Sequence, residues 1–161
     1  MPHPHAEIIQ RFYNAFARRD AAGMAACYHP EVRFQDPIFD LRGPRAGAMW
    51  HMLCARGKDL HVETSNIRAD DEDGAARWVA SYTFSQTGRP VVNDVQATFT
   101  FKDGLIRTHR DRFPFWKWSR QALGVPGLLL GWTPFLRAKV SQKANKGLDA
   151  YVAQHPEALE L

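Results

Sequence analysis

The fold is decided by the stretch Phe99-Thr-Phe-Lys-Asp-Gly-Leu-Ile-Arg-Thr-His-Arg-Asp-Arg-Phe113. Its centre, Lys102-Asp-Gly104, is a turn sequence between two segments with the period of two that is typical of β-strands. A link this short makes the two strands antiparallel neighbours. Because successive strand side chains point to opposite faces, His109 and Asp111 are predicted to share one face, while Arg110 and Arg112 point the other way.

The pair His109 and Asp111 is the first candidate for chemistry. Phe113 is in phase with both residues and makes their face partly apolar. Two titratable groups on such a face are unfavourable unless they are paired or take part in function. Two interpretations follow: a structural polar pair, or a pair in which the carboxylate orients the imidazole for general acid/base work.

The same two-residue alternation of side chains also occurs in the sequence before this stretch. Four strands are predicted, at Leu60–Arg68, Ala75–Ser85, Pro90–Phe101 and Leu105–Phe113. Because short turn sequences separate them, consecutive strands are expected to pair antiparallel as a meander. The preceding residues have helical spacing instead. This order predicts an α+β fold in which N-terminal helices pack on one side of a curved antiparallel sheet.

The N-terminal elements have local start and stop signals. Predicted here are a helix over His5–Arg19, a short helix from the N-cap Asp20 to Tyr28, and a helix from Gly43-Pro44 to near Gly57. Between the second and third helices, Val32, Phe34 and Asp36 alternate with polar residues and predict a short strand. Pro37 ends that strand, because the residue before a proline is held in extended geometry.

Length and composition limit the function classes. A chain of 161 residues with 45% hydrophobic and 24% charged residues is predicted to form one domain with a substantial core. The net charge of +4 is not gathered into a basic, aromatic-rich patch, so no nucleic-acid partner is expected. Cys27 and Cys54 lack metal-ligand spacing and are predicted to be buried thiols, which favours a cytoplasmic location.

The C-terminal segment, residues 116–161, differs from the rest. Trp116–Leu136 is rich in Trp, Leu, Gly and Pro, and Pro134–Gln154 is predicted to be a helix with a basic outer face. The segment holds six Lys/Arg against three Asp/Glu. We expect it to close a hydrophobic cavity or pack on a partner subunit, while a monotopic membrane anchor is the less favoured alternative.

The order of elements and several motifs resemble the nuclear transport factor 2-like superfamily, which includes ketosteroid isomerases and SnoaL-like polyketide cyclases. The matching motifs are Phe12-Tyr-Asn-Ala-Phe16 with Asp20, Tyr28-His-Pro-Glu-Val-Arg-Phe-Gln-Asp-Pro37, Gly43, Phe99–Ile106 and His109-Arg-Asp111. The resemblance spans about residues 5–115. It implies a cone-shaped sheet over residues 1–115, with 116–161 as a helical extension of the same domain, and a homodimer formed through the sheet.

The resemblance also implies roles for individual residues. Asp36 matches the general base of the isomerases. The two oxyanion donors of those enzymes fall on Phe12 and Ala97, neither of which can donate a hydrogen bond from its side chain. Tyr13 cannot simply replace the first donor, since one residue along a helix is a rotation of about 100°. Steroid isomerisation is therefore disfavoured.

The same register implies an interior pocket. It would hold Asp36, His109 and Asp111, with Asn93 as a polar orienting group. Its predicted wall is aromatic: Phe12, Tyr13, Phe16, Phe34, Trp50, Phe99 and Phe113. For Asp36 the alternative is a strand-end carboxylate bonded to nearby backbone amides.

Two functions remain open at this point. The favoured one is an acid/base enzyme of isomerase, cyclase or hydrolase type, which acts without a cofactor or metal on a small apolar carbonyl or cyclic substrate. The other is a module of the same fold that binds a small apolar molecule without catalysis.

Overall fold

The computed structural model describes residues 2–161, whose elements follow the predicted order. The N-terminal part comprises α1 (Pro4–Ala17), α2 (Ala21–Ala25), β1 (Tyr28–Gln35), β2 (Asp40–Arg42) and α3 (Pro44–Arg56). The meander comprises β3 (His61–Ala69), β4 (Asp73–Phe84), β5 (Arg89–Lys102) and β6 (Leu105–Arg112). The C-terminal part comprises α4 (Phe115–Leu123), α5 (Val125–Leu130), α6 (Pro134–Gln154) and a final 3-10 turn, Pro156–Leu159.

The six strands form one sheet in the order β2-β1-β6-β5-β4-β3, so the α+β class is confirmed. The sheet is not wholly antiparallel, however, since β1 pairs with β6 in parallel. Short turns fix the direction of strands that follow each other in the chain. They do not fix the direction of β1 against β6, which are separated by β2, α3 and the other meander strands. Through this pair Phe34 lies beside His109.

Helix α1 covers the inner face of the sheet because its apolar residues recur at helical spacing. Ile9, Phe12, Tyr13 and Phe16 are almost fully buried. The predicted N-cap of α2 is confirmed, since the Asp20 carboxylate accepts a hydrogen bond from the Gly23 amide at 2.9 Å. A cap of this kind stabilises a helix by about 1 kcal/mol.

Strand β1 is longer than predicted and ends one residue earlier. It begins at Tyr28, so Tyr28 lies in the sheet and not at the end of a helix. Asp36 follows the strand's last residue and begins the turn to β2. The turn into α3 requires Gly43, whose φ of +57° is unfavourable for a residue with a side chain.

Candidate active site

One cavity of about 260 Å³ opens between the concave face of the sheet, α3 and the C-terminal helices. Its wall is mostly apolar and aromatic. Seven of the predicted site residues line it: Phe16, Phe34, Asp36, Trp50, Asn93, Asp111 and Phe113. Ligand pockets generally measure about 300–1,000 Å³, so this volume suits a small substrate.

Asp36 directly follows β1, and its side chain lines this cavity. Its Oδ1 accepts hydrogen bonds from the Ile38 amide at 2.7 Å and the Phe39 amide at 2.6 Å. The pKa of Asp36 is nevertheless raised to about 7, mainly by burial and to a smaller extent by the charge of Asp111, against the lowering effect of the two amides. Both sequence interpretations therefore describe Asp36, which is bonded to backbone amides and also lines the pocket.

Asp111 is the second carboxyl group on the cavity wall. His109 Nε2 lies 2.8 Å from Asp111 Oδ1, and the Trp78 indole donates to the same oxygen at 3.3 Å. His109 and Asp111 are only 1% and 3% exposed. The two residues thus form the pair that strand alternation predicts.

The other side of His109 contacts Tyr28. The Tyr28 hydroxyl lies 2.8 Å from His109 Nδ1 and accepts a hydrogen bond from Trp50 Nε1 at 2.8 Å. One arrangement of protons gives every hydrogen an acceptor: Trp50 donates to Tyr28, Tyr28 donates to Nδ1, and Nε2–H donates to an ionised Asp111. If Nδ1 carried the proton instead, the hydrogen of the Tyr28 hydroxyl would have no acceptor among the described residues.

Four predicted site residues lie behind the cavity wall. His109 is covered by aromatic rings, with the Phe99 centroid at 4.5 Å and the Phe12 centroid at 5.4 Å. Phe12, Tyr13, Phe99 and His109 do not line the cavity. This differs from the expectation that they would contact ligand, because α1 packs directly onto the sheet and its rings fill the space above His109.

Tyr82 is a polar cavity residue that the sequence analysis does not predict. Tyr82 lies on the same face of β4 as Trp78 and Ala80. This period of two was the sequence signal that could have placed Tyr82 on the cavity side of the strand. The Tyr82 hydroxyl accepts a hydrogen bond from Trp118 Nε1 at 2.9 Å and has no acceptor for its own hydrogen among the described residues. Burial raises the pKa of Tyr82, as does the charge of Asp36. It can therefore donate a hydrogen bond into the cavity.

The C-terminal helices complete the wall of the cavity. Leu123 at the end of α4, with Val140 and Ala144 of α6, contributes apolar surface to it. The ammonium-bearing side chain of Lys143 also lines it. The segment thus contributes to the cavity wall through α4 and α6, whereas α5 contributes no residue to it; its role as a lid stays a prediction.

Within residues 2–161, no group of three or more His, Cys, Asp or Glu side chains is arranged to hold a metal ion. The polar side chains that line the cavity include the carboxyl groups of Asp36 and Asp111, the Tyr82 hydroxyl and the Asn93 amide.

The sequence matches the SnoaL-like domain family over residues 9–109. This region runs from the start of the buried face of α1 to His109, and includes Asp36. A search among curated proteins found no match.

Three solved structures are similar in fold. A proposed polyketide cyclase from Xanthomonas campestris is 21% identical, with 73% of this chain and 96% of that chain covered and a TM-score of 0.62. An LEH-like epoxide hydrolase from M. tuberculosis is 19% identical, with coverage of 79% and 96% and a TM-score of 0.61. A protein with a ketosteroid isomerase-like fold from Catenulispora acidiphila, in complex with trimethylamine, is 14% identical, with coverage of 80% and 98% and a TM-score of 0.65.

Proposed function

The chain belongs to the SnoaL-like domain family, and from this premise we propose that it is an acid/base enzyme that needs no cofactor. Its substrate is a small, largely apolar carbonyl or cyclic compound. The observation that carries the proposal is Asp36, a carboxyl group with a pKa of about 7 on the wall of an apolar cavity that also holds Asp111. The resemblance to the nuclear transport factor 2-like superfamily is confirmed by the family match.

Asp36 is the general base in this proposal. A carboxyl group with a pKa near the working pH is ionised in about half of the molecules, and its ionised form binds a proton strongly enough to remove one from carbon. On a carbonyl substrate, Asp36 takes the proton next to the carbonyl while the C–H electron pair forms a carbon–carbon double bond and the π pair of the carbonyl moves to oxygen. The protonated Asp36 then returns the proton to carbon or oxygen, so no cofactor is needed.

Tyr82 and Asn93 are the proposed donors to the substrate oxygen. The Tyr82 hydroxyl and the Asn93 amide both line the cavity, and Asn93 lies directly across from Ala80 on the face that carries Tyr82. A preorganised donor of this kind stabilises a developing oxyanion by about 3–4 kcal/mol. They would replace the donors that the isomerases have at the positions of Phe12 and Ala97.

Asp111 adds to the effect of burial on the basicity of Asp36. Two bonds, from His109 and Trp78, hold Asp111 in place. Its negative charge makes a second charge in the cavity less favourable and so raises the pKa of Asp36. His109 is accordingly a positioning residue, because it acts through Asp111 and does not line the cavity.

Isomerisation and aldol-type cyclisation use the removal of a proton from carbon, whereas hydrolysis would use the same base to remove a proton from an attacking water molecule. The similarity to a proposed polyketide cyclase and to an epoxide hydrolase supports this range of reactions. The lack of donors at Phe12 and Ala97 argues against steroid isomerisation by the isomerase route.

Proton abstraction can be tested without knowing the natural substrate. The probe is 2-tetralone, an apolar bicyclic ketone, in D2O, with exchange at the carbon next to the carbonyl followed by proton NMR. We expect Asp36→Asn to slow the enzymatic exchange by at least about 100-fold. The control Asp40→Asn, which changes an exposed carboxylate outside the cavity that pairs with Arg33, should leave it unchanged.

Binding is measured in parallel by quenching of tryptophan fluorescence, because Trp50 and Trp78 line the cavity. Asp36→Asn should still bind the ketone, since it keeps the size and the amide contacts of the side chain. If the wild type binds 2-tetralone but exchanges its protons no faster than buffer does, the enzyme proposal fails, and the binding module becomes the better description.

A further inference from the structure

Six of the eleven large hydrophobic side chains that are exposed among residues 2–161 lie on α5 and the turn into α6. We name it the apolar ridge and define it by Val125, Leu128, Leu129, Leu130, Trp132 and Phe135. Trp132 is 74% exposed, Phe135 64% and Leu129 63%. Contiguous exposed apolar residues of this size mark an interaction site.

Two glycines explain why these side chains point outward. Gly127 is the buried residue of α5, and a Cβ there would overlap the Ser119 backbone of α4. A Cβ at Gly131 would overlap the Ser119 hydroxyl in the same way. The glycine side of the segment therefore faces the protein, and the leucines are left on the outside.

The segment that carries the ridge has only positively charged side chains. Residues 113–148 contain six Lys or Arg residues and no Asp or Glu. Arg120 lies over the Trp116 ring at 4.7 Å, and Lys139 lies over the Phe135 ring at 5.2 Å. Apolar side chains and cations are thus combined on one surface.

We propose that the apolar ridge docks onto the surface of an anionic phospholipid membrane. Trp132, Phe135 and the leucines would enter the boundary between headgroups and acyl chains, where amphipathic aromatic rings are favoured. The cations of this segment would contact acidic headgroups. The charge of this surface favours an anionic membrane over a second copy of the chain, which would present the same positive charges.

The mode of attachment follows from the helix lengths. No helix among residues 2–161 has the length and apolarity needed to cross a bilayer. Helix α5 is six residues long, so the ridge would lie in the interface and not span it. The exposure of the ridge changes the sequence-based preference, which treated this apolar stretch as a lid or subunit contact.

Docking would also bring the cavity near the membrane. The helices on either side of the ridge, α4 and α6, contribute Leu123 and Val140 to the cavity wall. An apolar substrate dissolves in the bilayer, so it would be concentrated where the cavity lies. This consequence rests on the proposed enzyme function, whereas the docking itself does not.

Flotation of the full chain with vesicles tests the docking. Vesicles of phosphatidylcholine with about 30% phosphatidylglycerol are compared with vesicles of phosphatidylcholine alone, because only the former carry the acidic headgroups. We expect binding to the anionic vesicles, weakened as sodium chloride rises. Trp132→Glu should reduce binding by at least about tenfold, which corresponds to about 1.4 kcal/mol. Val92→Glu is the matched control, since Val92 is 55% exposed on β5, outside both ridge and cavity.

Each result decides the proposal. Binding that is lost in Trp132→Glu and kept in Val92→Glu supports it, as does loss in Lys139→Glu. Failure of the wild type to float with anionic vesicles overturns it, as does equal binding by Trp132→Glu. A dimer in lipid-free solution that Trp132→Glu dissociates, without vesicle binding, would assign the ridge to a subunit interface instead. None of these outcomes depends on whether 2-tetralone is a substrate.

Discussion

His109 Nε2 lies 2.8 Å from Asp111 Oδ1, although the two residues are among the most buried polar groups of the chain. A buried ionised carboxylate is unfavourable unless donors compensate its charge. Here His109 and Trp78 supply two donors, and Tyr28 satisfies the far side of the imidazole. The pair therefore combines a structural requirement with a place on the cavity wall.

The first prediction concerns the proton of His109. Because Tyr28 donates to Nδ1, the imidazole should be neutral and carry its hydrogen on Nε2. Nitrogen-15 NMR at pH 7 distinguishes protonated from unprotonated ring nitrogens. Detection of the hydrogen on Nδ1, or of an imidazolium ion, would contradict the proposed arrangement.

The second prediction compares two buried tyrosines. Tyr28→Phe removes the donor to His109 and the acceptor of Trp50 Nε1, so it should lower the free energy of unfolding by about 2–4 kcal/mol. Tyr13→Phe is the matched control, because the Tyr13 hydroxyl is buried and has no partner among the described residues. Its removal should leave stability unchanged or raise it by about 1 kcal/mol.

Urea unfolding of both variants, followed by circular dichroism, provides the measurement. The two substitutions remove the same atom from two buried positions, so the difference between them reports mainly on the hydrogen bonds. Equal destabilisation by Tyr28→Phe and Tyr13→Phe would show that the bonds to Tyr28 do not contribute.

Local periodicity was sufficient to predict the meander and the shared face of His109 and Asp111. Strand alternation and the turn Lys102-Asp-Gly104 depend only on neighbouring residues. The contact of Tyr28 with His109 could not be predicted in this way, because the residues are 81 positions apart and β1 pairs with β6 in parallel.

The depth of His109 in the core was equally inaccessible from local pattern. It results from the way the Phe12 ring packs against the sheet. The outward leucines of α5 have a similar origin, since the close approach of Gly127 to Ser119 is a tertiary contact. Residues were therefore assigned to the correct face of an element more readily than to the correct side of the cavity wall.

The third prediction is a pH dependence of stability that comes from Asp36. Its pKa is raised from an ordinary value of 3.8 to about 7 in the folded state, so between these values the folded state binds the proton and the unfolded state does not. Stability from this group is complete below about pH 4 and is lost as the pH rises through about 7, with a total of about 4 kcal/mol.

Asp36→Asn is the matched variant, because its amide oxygen can still accept from Ile38 and Phe39. The difference in unfolding free energy between variant and wild type should shift in favour of the variant from pH 4 to pH 8. Denaturant titrations at several pH values measure this difference. A difference that does not change with pH would mean that Asp36 titrates alike in both states.

The fourth prediction concerns the coupling of the two carboxyl groups. Asp111→Asn removes the negative charge that raises the pKa of Asp36, so that pKa should fall. Carbon-13 NMR of the Asp36 carboxyl measures it directly, and the rising limb of the rate of 2-tetralone exchange against pH should move to lower pH with it. Asp94→Asn is the control, since Asp94 is exposed and paired with Arg77. An unchanged Asp36 titration in Asp111→Asn would exclude the coupling.

The fifth prediction concerns the contact that turns the apolar ridge outward. A methyl group at Gly127 would overlap the Ser119 backbone, so Gly127→Ala should force α5 away from α4 at a cost of about 1–3 kcal/mol. It should also break the hydrogen bond that Trp116 Nε1 donates to the Leu128 carbonyl at 3.1 Å. Amide exchange should therefore become faster in residues 125–131.

Gly147→Ala, in the interior of α6 with no atom within 4 Å of the added methyl group, should instead stabilise the protein by about 0.5–1 kcal/mol. If Gly127→Ala proved as favourable as Gly147→Ala, the close packing of α5 on α4 would be excluded as the reason that the leucines face outward.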